Sequence, residues 1–228
     1  MNIEELKKLM GIIKLYPPQE EAIEKIMTGK NVVISMPTAS GKTFIAYAGI
    51  LRAMNLGMKA VYLVPLRSIA YEKYEELKRI FSDKKIVLSV GDYDSDETIL
   101  KYSDIIVGVY EKMDAVLRHN PDYIYNVGIL IADEIHLMQD PSRGSTIEVI
   151  LTKFKYYNNS TQIIALSATI NNYMDIAGWL NAEIVYSNFR PIPLKTGIYN
   201  KGVLKFDDGN IEYVREDKLK IGNLVKRT

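Results

Sequence analysis

Apolar residues recur along this chain in two alternating rhythms. Short runs rich in β-branched residues have the length and the polar bounding of buried strands: Asn31 to Ser35, Ala60 to Val64, Lys85 to Val90, Asp104 to Val109, Gly128 to Ala132 and Ile163 to Leu166. Between them apolar positions fall at helical spacing, as in Phe44 to Met54, in the stretch carrying Ile69, Tyr74, Leu77 and Ile80, and from Glu111 through Leu117. Continuous apolar strands separated by helices predict an α/β fold, a mostly parallel sheet with helices on both faces. Residues 1–29 predict two helices, with Ile3, Leu6, Leu9 and Met10 on one apolar face and Ala22, Ile23, Ile26 and Met27 on another. The two prolines of Tyr16-Pro17-Pro18-Gln19 end the first helix and hold Tyr16 and Gln19 at the start of the second. From about residue 182 the rhythm changes, and Asp207-Asp208-Gly209-Asn210 between Gly202–Phe206 and Ile211–Val214 is a hairpin signal. The expected division is a large domain over residues 1–200 and a C-terminal β-hairpin with a linker over 201–228.

In a parallel sheet, ligands bind at the carboxyl ends of the strands, and the polar clusters of this chain lie there. The first strand runs into Met36-Pro37-Thr38-Ala39-Ser40-Gly41-Lys42-Thr43 and then a helix. Amides that open a helix have no internal acceptor and converge on an anion, so Pro37 to Thr43 read as a phosphate cradle. Lys42 would add its ammonium on the β- and γ-phosphates, and the Thr43 hydroxyl a ligand for Mg²⁺. The generic phosphate-loop pattern asks for glycine at Met36, so only its Gly-Lys-Thr half is intact. The fifth strand ends in Asp133-Glu134, a pair suited to holding Mg²⁺ through Asp133 and orienting and deprotonating a water through Glu134. Strand alternation is expected to send the two acids to opposite sides.

Ser167 and Thr169, ending the sixth strand, and His136 beside the acids offer groups that could couple phosphate state to another segment. Gln19 could read an adenine edge and Tyr16 stack on its ring. Pro65, Arg67 and Ser68 at one helix start, and Glu111 and Lys112 at another, could grip a nucleic-acid backbone. For each group, an ordinary cap or solvated surface charge is the reading that spacing alone leaves open.

Composition narrows the field. With 228 residues, 47% hydrophobic and 25% charged, the chain has the makeup of a globular protein. Its 29 basic and 28 acidic residues nearly cancel, so any nucleic acid must be held by local groups rather than bulk charge. The absence of cysteine excludes disulfides and thiolate metal sites, and two histidines, His119 and His136, are too few and too far apart for zinc. The apolar runs are too short to span a bilayer and the N-terminus lacks a signal-peptide layout, so a cytoplasmic protein is expected.

Taken together, Gln19, the Pro37 to Thr43 turn, Pro65-Leu66-Arg67, Asp133-Glu134-Ile135-His136 and Ser167-Ala168-Thr169 resemble superfamily 2 helicases in identity, order and spacing. They look like the Q motif, motif I, motif Ia, a DExH form of motif II, and motif III. Leu15 to Gln19, Gly91-Asp92-Tyr93-Asp94, Tyr110-Glu111-Lys112 and Phe189 to Leu194 are similar to the superkiller-like branch, in particular its archaeal DNA-repair (Holliday-junction-migration) helicases. In that branch Ala39 and the missing first glycine are normal. The resemblance implies a RecA-like domain that binds ATP and Mg²⁺, with 3′ to 5′ movement on single-stranded or forked DNA and a role at stalled replication forks. RNA as the strand, or a nucleotide-gated binding module without catalysis, are the alternatives. Such helicases close ATP between two RecA-like domains, the second carrying a Gln-x-x-Gly-Arg-x-Gly-Arg motif that does not occur here. The chain alone is therefore expected to bind Mg-ATP weakly and hydrolyse it hardly at all. No Asn-Lys-x-Asp run appears, which disfavours a small GTPase.

Overall fold

The structure, a computed structural model, describes residues 1–91, 97–168, 172–190 and 196–213. Seven strands form one parallel sheet: β1 (Val32–Ser35), β2 (Lys59–Val64), β3 (Ile86–Ser89), β4 (Ile105–Val109), β5 (Val127–Ala132), β6 (Gln162–Ser167) and β7 (Glu183–Tyr186). Their order is β3-β4-β2-β5-β6-β1-β7. The first six are the runs expected from the sequence. The seventh pairs with β1 from Val32↔Glu183 to Ser35↔Tyr186; its apolar run is the short Ile184-Val185-Tyr186, of which this edge strand buries only Val185.

Among the described residues eight α-helices cover the two faces: α1 (Ile3–Leu9), α2 (Pro17–Met27), α3 (Lys42–Asn55), α4 (Arg67–Ile80), α5 (Glu97–Lys101), α6 (Tyr110–His119), α7 (Gly144–Tyr157) and α8 (Tyr173–Leu180). Side chains alternate across a strand, and the core divides accordingly. Ala60, Tyr62 and Val64 of β2 join Leu6, Ile26, Phe44 and Leu77 from α1 to α4, whereas Val61 and Leu63 join Met113, Leu151 and Leu180 from α6 to α8. Helix α3 is buried almost all round, and it approaches the sheet so closely that a Cβ on Gly49 would lie 2.4 Å from Ile164 Cδ1. This packing fixes the start of α3 against the ends of β1 and β6. The apolar faces of the first two helices are narrower than expected, because Leu9 and Met27 are exposed.

The chain divides into two compact units between Phe189 and Arg190, not at residue 200. The smaller unit holds an antiparallel sheet of β8 (Gly197–Asn200), β9 (Val203–Phe206) and β10 (Ile211–Tyr213). The hairpin around Asp207 to Asn210 is the expected one. A second, two-residue turn at Lys201 and Gly202, both at positive φ, pairs β8 with β9 and so draws residues before 201 into this sheet. Val214 and residues 216–228 lie outside the described residues.

Candidate nucleotide site and nucleic-acid groove

The turn from β1 to α3 contains two left-handed residues, Ala39 at φ 64° and Gly41 at φ 84°. A side chain in that region costs roughly 1–2 kcal/mol, so Ala39 is held there by its surroundings. Met36 N–H donates to Ser167 O at 3.2 Å and Ser40 N–H to Pro37 O at 3.3 Å. Gln19 braces the turn from α2. Its Nε2 donates to Ser40 O at 2.8 Å and its Oε1 accepts from Tyr16 N–H at 2.9 Å. A Cβ on Gly41 would come within 2.2 Å of that Nε2, which accounts for glycine at this position beyond its φ. Both ends of the Gln19 amide thus engage the protein, leaving one N–H and one lone pair for any other partner. Tyr16 is half-exposed, with its ring 4.9 Å from that of Phe189. The Lys42 ammonium folds back over the turn and donates to Met36 O at 2.8 Å and Pro37 O at 3.1 Å. Thr38 and Ala39 face solvent, Ser40 is buried, and Thr43 lies in the first turn of α3.

The acidic tip lies two strands away, with only β6 between β1 and β5, so the strand ends are about 10 Å apart. Asp133 N–H continues the sheet ladder by donating to Leu63 O at 2.9 Å. The chain then turns through Glu134 at φ 54°, ψ 44°, into a 3₁₀ turn over Ile135–Gln139. The two acids are separated by this left-handed step, not by strand alternation as expected, because the strand has already ended at Ala132.

Asp133 Oδ1 accepts from Glu134 N–H at 2.9 Å, Oδ2 accepts from Tyr62 OH at 2.9 Å, and its carbonyl accepts from Tyr110 OH at 2.7 Å. Burial pushes its carboxyl above the usual carboxylate range, opposed by those two donors on its oxygens and by the fields of Lys42 and Lys73. Glu134 Oε2 is buried and lies 3.2 Å from His136 Nδ1, in an alignment short of a hydrogen bond. Ser167 Oγ lies 3.5 Å from the same Nδ1, so Ser167, His136 and Glu134 form a chain across β6 and β5. Thr169 lies outside the described residues.

These residues fit a magnesium nucleotide. No group of three or more His, Asp or Glu that could hold a metal occurs among the described residues. Mg²⁺ needs no such cage, since it is commonly held by one or two protein oxygens together with phosphates and water, which Thr43 and Asp133 could supply. Ser40 Oγ and Glu134 Oε2 are buried polar atoms without a hydrogen-bond partner among the described residues, as groups awaiting a ligand are.

Farther along the same edge, over β2 and β4, a groove of about 410 Å³ is lined by Pro65, Arg67, Glu111, Lys112 and Arg143, among others. Arg67 and Glu111 are exposed and Lys112 half-buried; Ser68, also exposed, sits one residue further along α4. Three cations thus face one carboxylate across a shallow trough.

The DEAD/DEAH box helicase family matches residues 16–176 of this chain. The chain belongs to that family. Among curated proteins, it is 44% identical over 216 residues to the ATP-dependent DNA helicase Hel308 of Thermoplasma volcanium, covering 94% of this chain and 31% of that protein. It is 43% identical over 230 residues to the Hel308 of Pyrococcus horikoshii, covering 100% of this chain and 32% of that one. Among solved structures, the crystal structure of the DUF1998 helicase MrfA bound to DNA superposes with a TM-score of 0.69 at 25% identity, over 81% of this chain and 29% of that one. The chain therefore spans about a third of the length of these two relatives.

In this DEAD/DEAH box helicase domain the Pro37 to Thr43 turn, Asp133, Glu134, His136 and Ser167 lie at the ends of β1, β5 and β6. Pro65, Arg67, Glu111 and Lys112 converge separately on the groove. Arg143 was not expected there. Its Nη1 donates to Pro65 O at 3.4 Å, while Asp140 caps the loop that presents it, accepting on Oδ1 from Ser142 and Arg143 N–H at 2.8 and 3.2 Å. The neighbouring Gly144 lets this loop fold tightly onto the acidic segment, since a Cβ there would lie 2.1 Å from Met138 O.

Proposed function

We propose that this domain is the first motor unit of an ATP-dependent DNA helicase that moves 3′ to 5′ on single-stranded or forked DNA and acts in repair at stalled replication forks in the cytoplasm. The observation that supports this reading is the sheet order, which sets the Lys42–Thr43 helix start after β1 and the Asp133–Glu134 tip of β5 at the same edge with only β6 between them. Direction and repair role rest on the resemblance of the motifs to the superkiller-like branch, and the choice of DNA is supported by the Hel308 relatives, which are named ATP-dependent DNA helicases. No described helix is long and apolar enough to cross a membrane.

Pro37 to Thr43 hold the phosphates through backbone amides and Lys42, which exchanges its loop carbonyls for phosphate oxygens. Thr43 and Asp133 hold Mg²⁺, which when bound supplies charge neutralisation at the γ-phosphate. Glu134 orients the attacking water and accepts its proton on an oxygen that no protein donor occupies. Ser167 and His136 report the state of that oxygen to the next segment. Gln19 keeps the turn closed, and Tyr16 offers a ring face to the base. Arg67, Ser68, Lys112 and Arg143 contact the strand's backbone, while Glu111 sets its path by repulsion; such contacts position without reading sequence.

A second RecA-like domain completes the site, supplying arginines that contribute on the order of 10³ to 10⁵ in rate. The 228-residue chain alone should bind Mg-ATP and turn it over hardly at all. In a two-domain protein, Glu134→Gln should lower DNA-stimulated ATPase by about 10² to 10⁴ with nucleotide affinity retained. Unchanged ATPase would reduce the domain to a nucleotide-gated binder. Competition between matched DNA and RNA strands tests the choice of sugar.

A further inference from the structure

Tyr62 on β2 and Tyr47 on α3 are fully buried in an apolar layer where phenylalanine would fill nearly the same volume. A buried hydroxyl is costly unless it is bonded, so the two phenols should each have a task. Tyr62 OH donates to Asp133 Oδ2 at 2.9 Å. Tyr47 OH donates to Glu76 Oε2 on α4, and the buried Lys73 donates to the same oxygen at 3.1 Å and to Glu72 Oε1 at 3.0 Å. The two rings meet edge to face, centroids 6.3 Å apart. A continuous buried path therefore runs from Asp133 through Tyr62 and Tyr47 to α4. Arg67 at the groove begins that same helix, nine residues or about 13 Å from Glu76.

We propose that Tyr62 is a positioning residue for the metal-holding carboxylate, and that Tyr47, Glu76 and Lys73 tie its placement to the groove-side helix. This rests on the assignment of Asp133 to Mg²⁺. With Oδ1 held by the Glu134 amide and Oδ2 by Tyr62, the carboxylate plane cannot rotate, and its remaining lone pairs keep one direction. An outer-shell hydroxyl orients a ligand without neutralising it. A shift of α4 when the groove fills is passed through Glu76 to the edge-to-face ring pair, and so to the direction in which Asp133 points.

The test is Mn²⁺ affinity, followed by electron paramagnetic resonance in the presence of saturating non-hydrolysable ATP analogue. Tyr62→Phe should weaken Mn²⁺ by about tenfold while leaving analogue affinity in EDTA unchanged. Tyr47→Phe should weaken it about threefold, and the double variant should be no weaker than Tyr62→Phe alone, the signature of one path. Parental Mn²⁺ affinity in Tyr62→Phe, with Asp133→Asn losing it, overturns the positioning role and leaves the metal assignment standing. A parallel loss of analogue affinity in EDTA overturns it as well, by showing general damage. Undiminished Mn²⁺ affinity in Asp133→Asn overturns the metal assignment and this proposal with it.

Discussion

Along the carboxyl edge of the sheet, the turn after β1 and the groove over β2 and β4 both present cations to solvent, yet they are built differently. The turn and its facing acidic tip hold three left-handed residues, Ala39, Gly41 and Glu134, together with buried polar side chains, Gln19 and Ser40. The groove has none of this: α4 and α6 start from ordinary extended residues, Leu66 at φ −128° and Val109 at φ −93°, and its charges are mostly solvated. Strain and buried polarity persist only where surrounding structure over-determines them, which suits a site that must hold one small ligand in one geometry. A groove for a strand that slides needs charge without a fixed register.

Variants that affect one region and spare the other sharpen this contrast. The largest effect is expected from Lys42→Ala: nucleotide affinity by fluorescence titration should fall roughly 10- to 100-fold, the equivalent of about 1.5–3 kcal/mol for a charged hydrogen bond, with single-stranded DNA affinity unmoved. Gly41→Ala should cost about 1–3 kcal/mol in urea unfolding, through its φ and the Gln19 overlap. Adding Gln19→Ala should restore the overlap part of that loss, and a double variant no better than the single one would discard the bracing role of Gln19. In the groove, Arg143→Gln should weaken DNA binding several-fold and reduce the slope of log affinity against log salt by about one, with nucleotide affinity intact. An unchanged slope would remove Arg143 from the strand path.

The smallest effect is on stability. Asp133 has a folded-state carboxyl raised above its unfolded value, so the folded chain binds the extra proton and stability declines as pH climbs from the ordinary carboxylate range through the raised one. At neutral pH the buried charge is therefore a burden. Asp133→Asn should raise the melting temperature at neutral pH, and the gain should vanish at pH low enough to neutralise the parent in both states. A melting temperature that falls at neutral pH would contradict the raised carboxyl.

The same contrast governs what the sequence discloses. Six strands were legible as apolar runs, five of them buried on both faces and β3 half-buried at an edge, and the Pro37 to Thr43 turn and the acids stand out because they occupy strand ends. Strand β7 was not, since its only apolar run is the three residues Ile184-Val185-Tyr186, of which Val185 alone is buried. The groove pairs Pro65 with Arg143, 78 residues apart, and no local pattern carries that contact. Tyr47 and Tyr62 read as plain core, because periodicity reports where a ring lies and says nothing of its hydroxyl. Glu134 was read correctly as an acid at a strand tip but with the wrong local geometry: alternation was extended one residue past the point where the ladder stops.

The left-handed backbone at Glu134 has a consequence for anyone evolving this domain in the laboratory. Glycine would occupy the same φ and ψ free of the roughly 1–2 kcal/mol that a Cβ incurs there. A library selected for heat resistance alone would drift toward glycine at 134 and return hardy proteins without the carboxylate proposed to accept the proton, so turnover must be scored in every round.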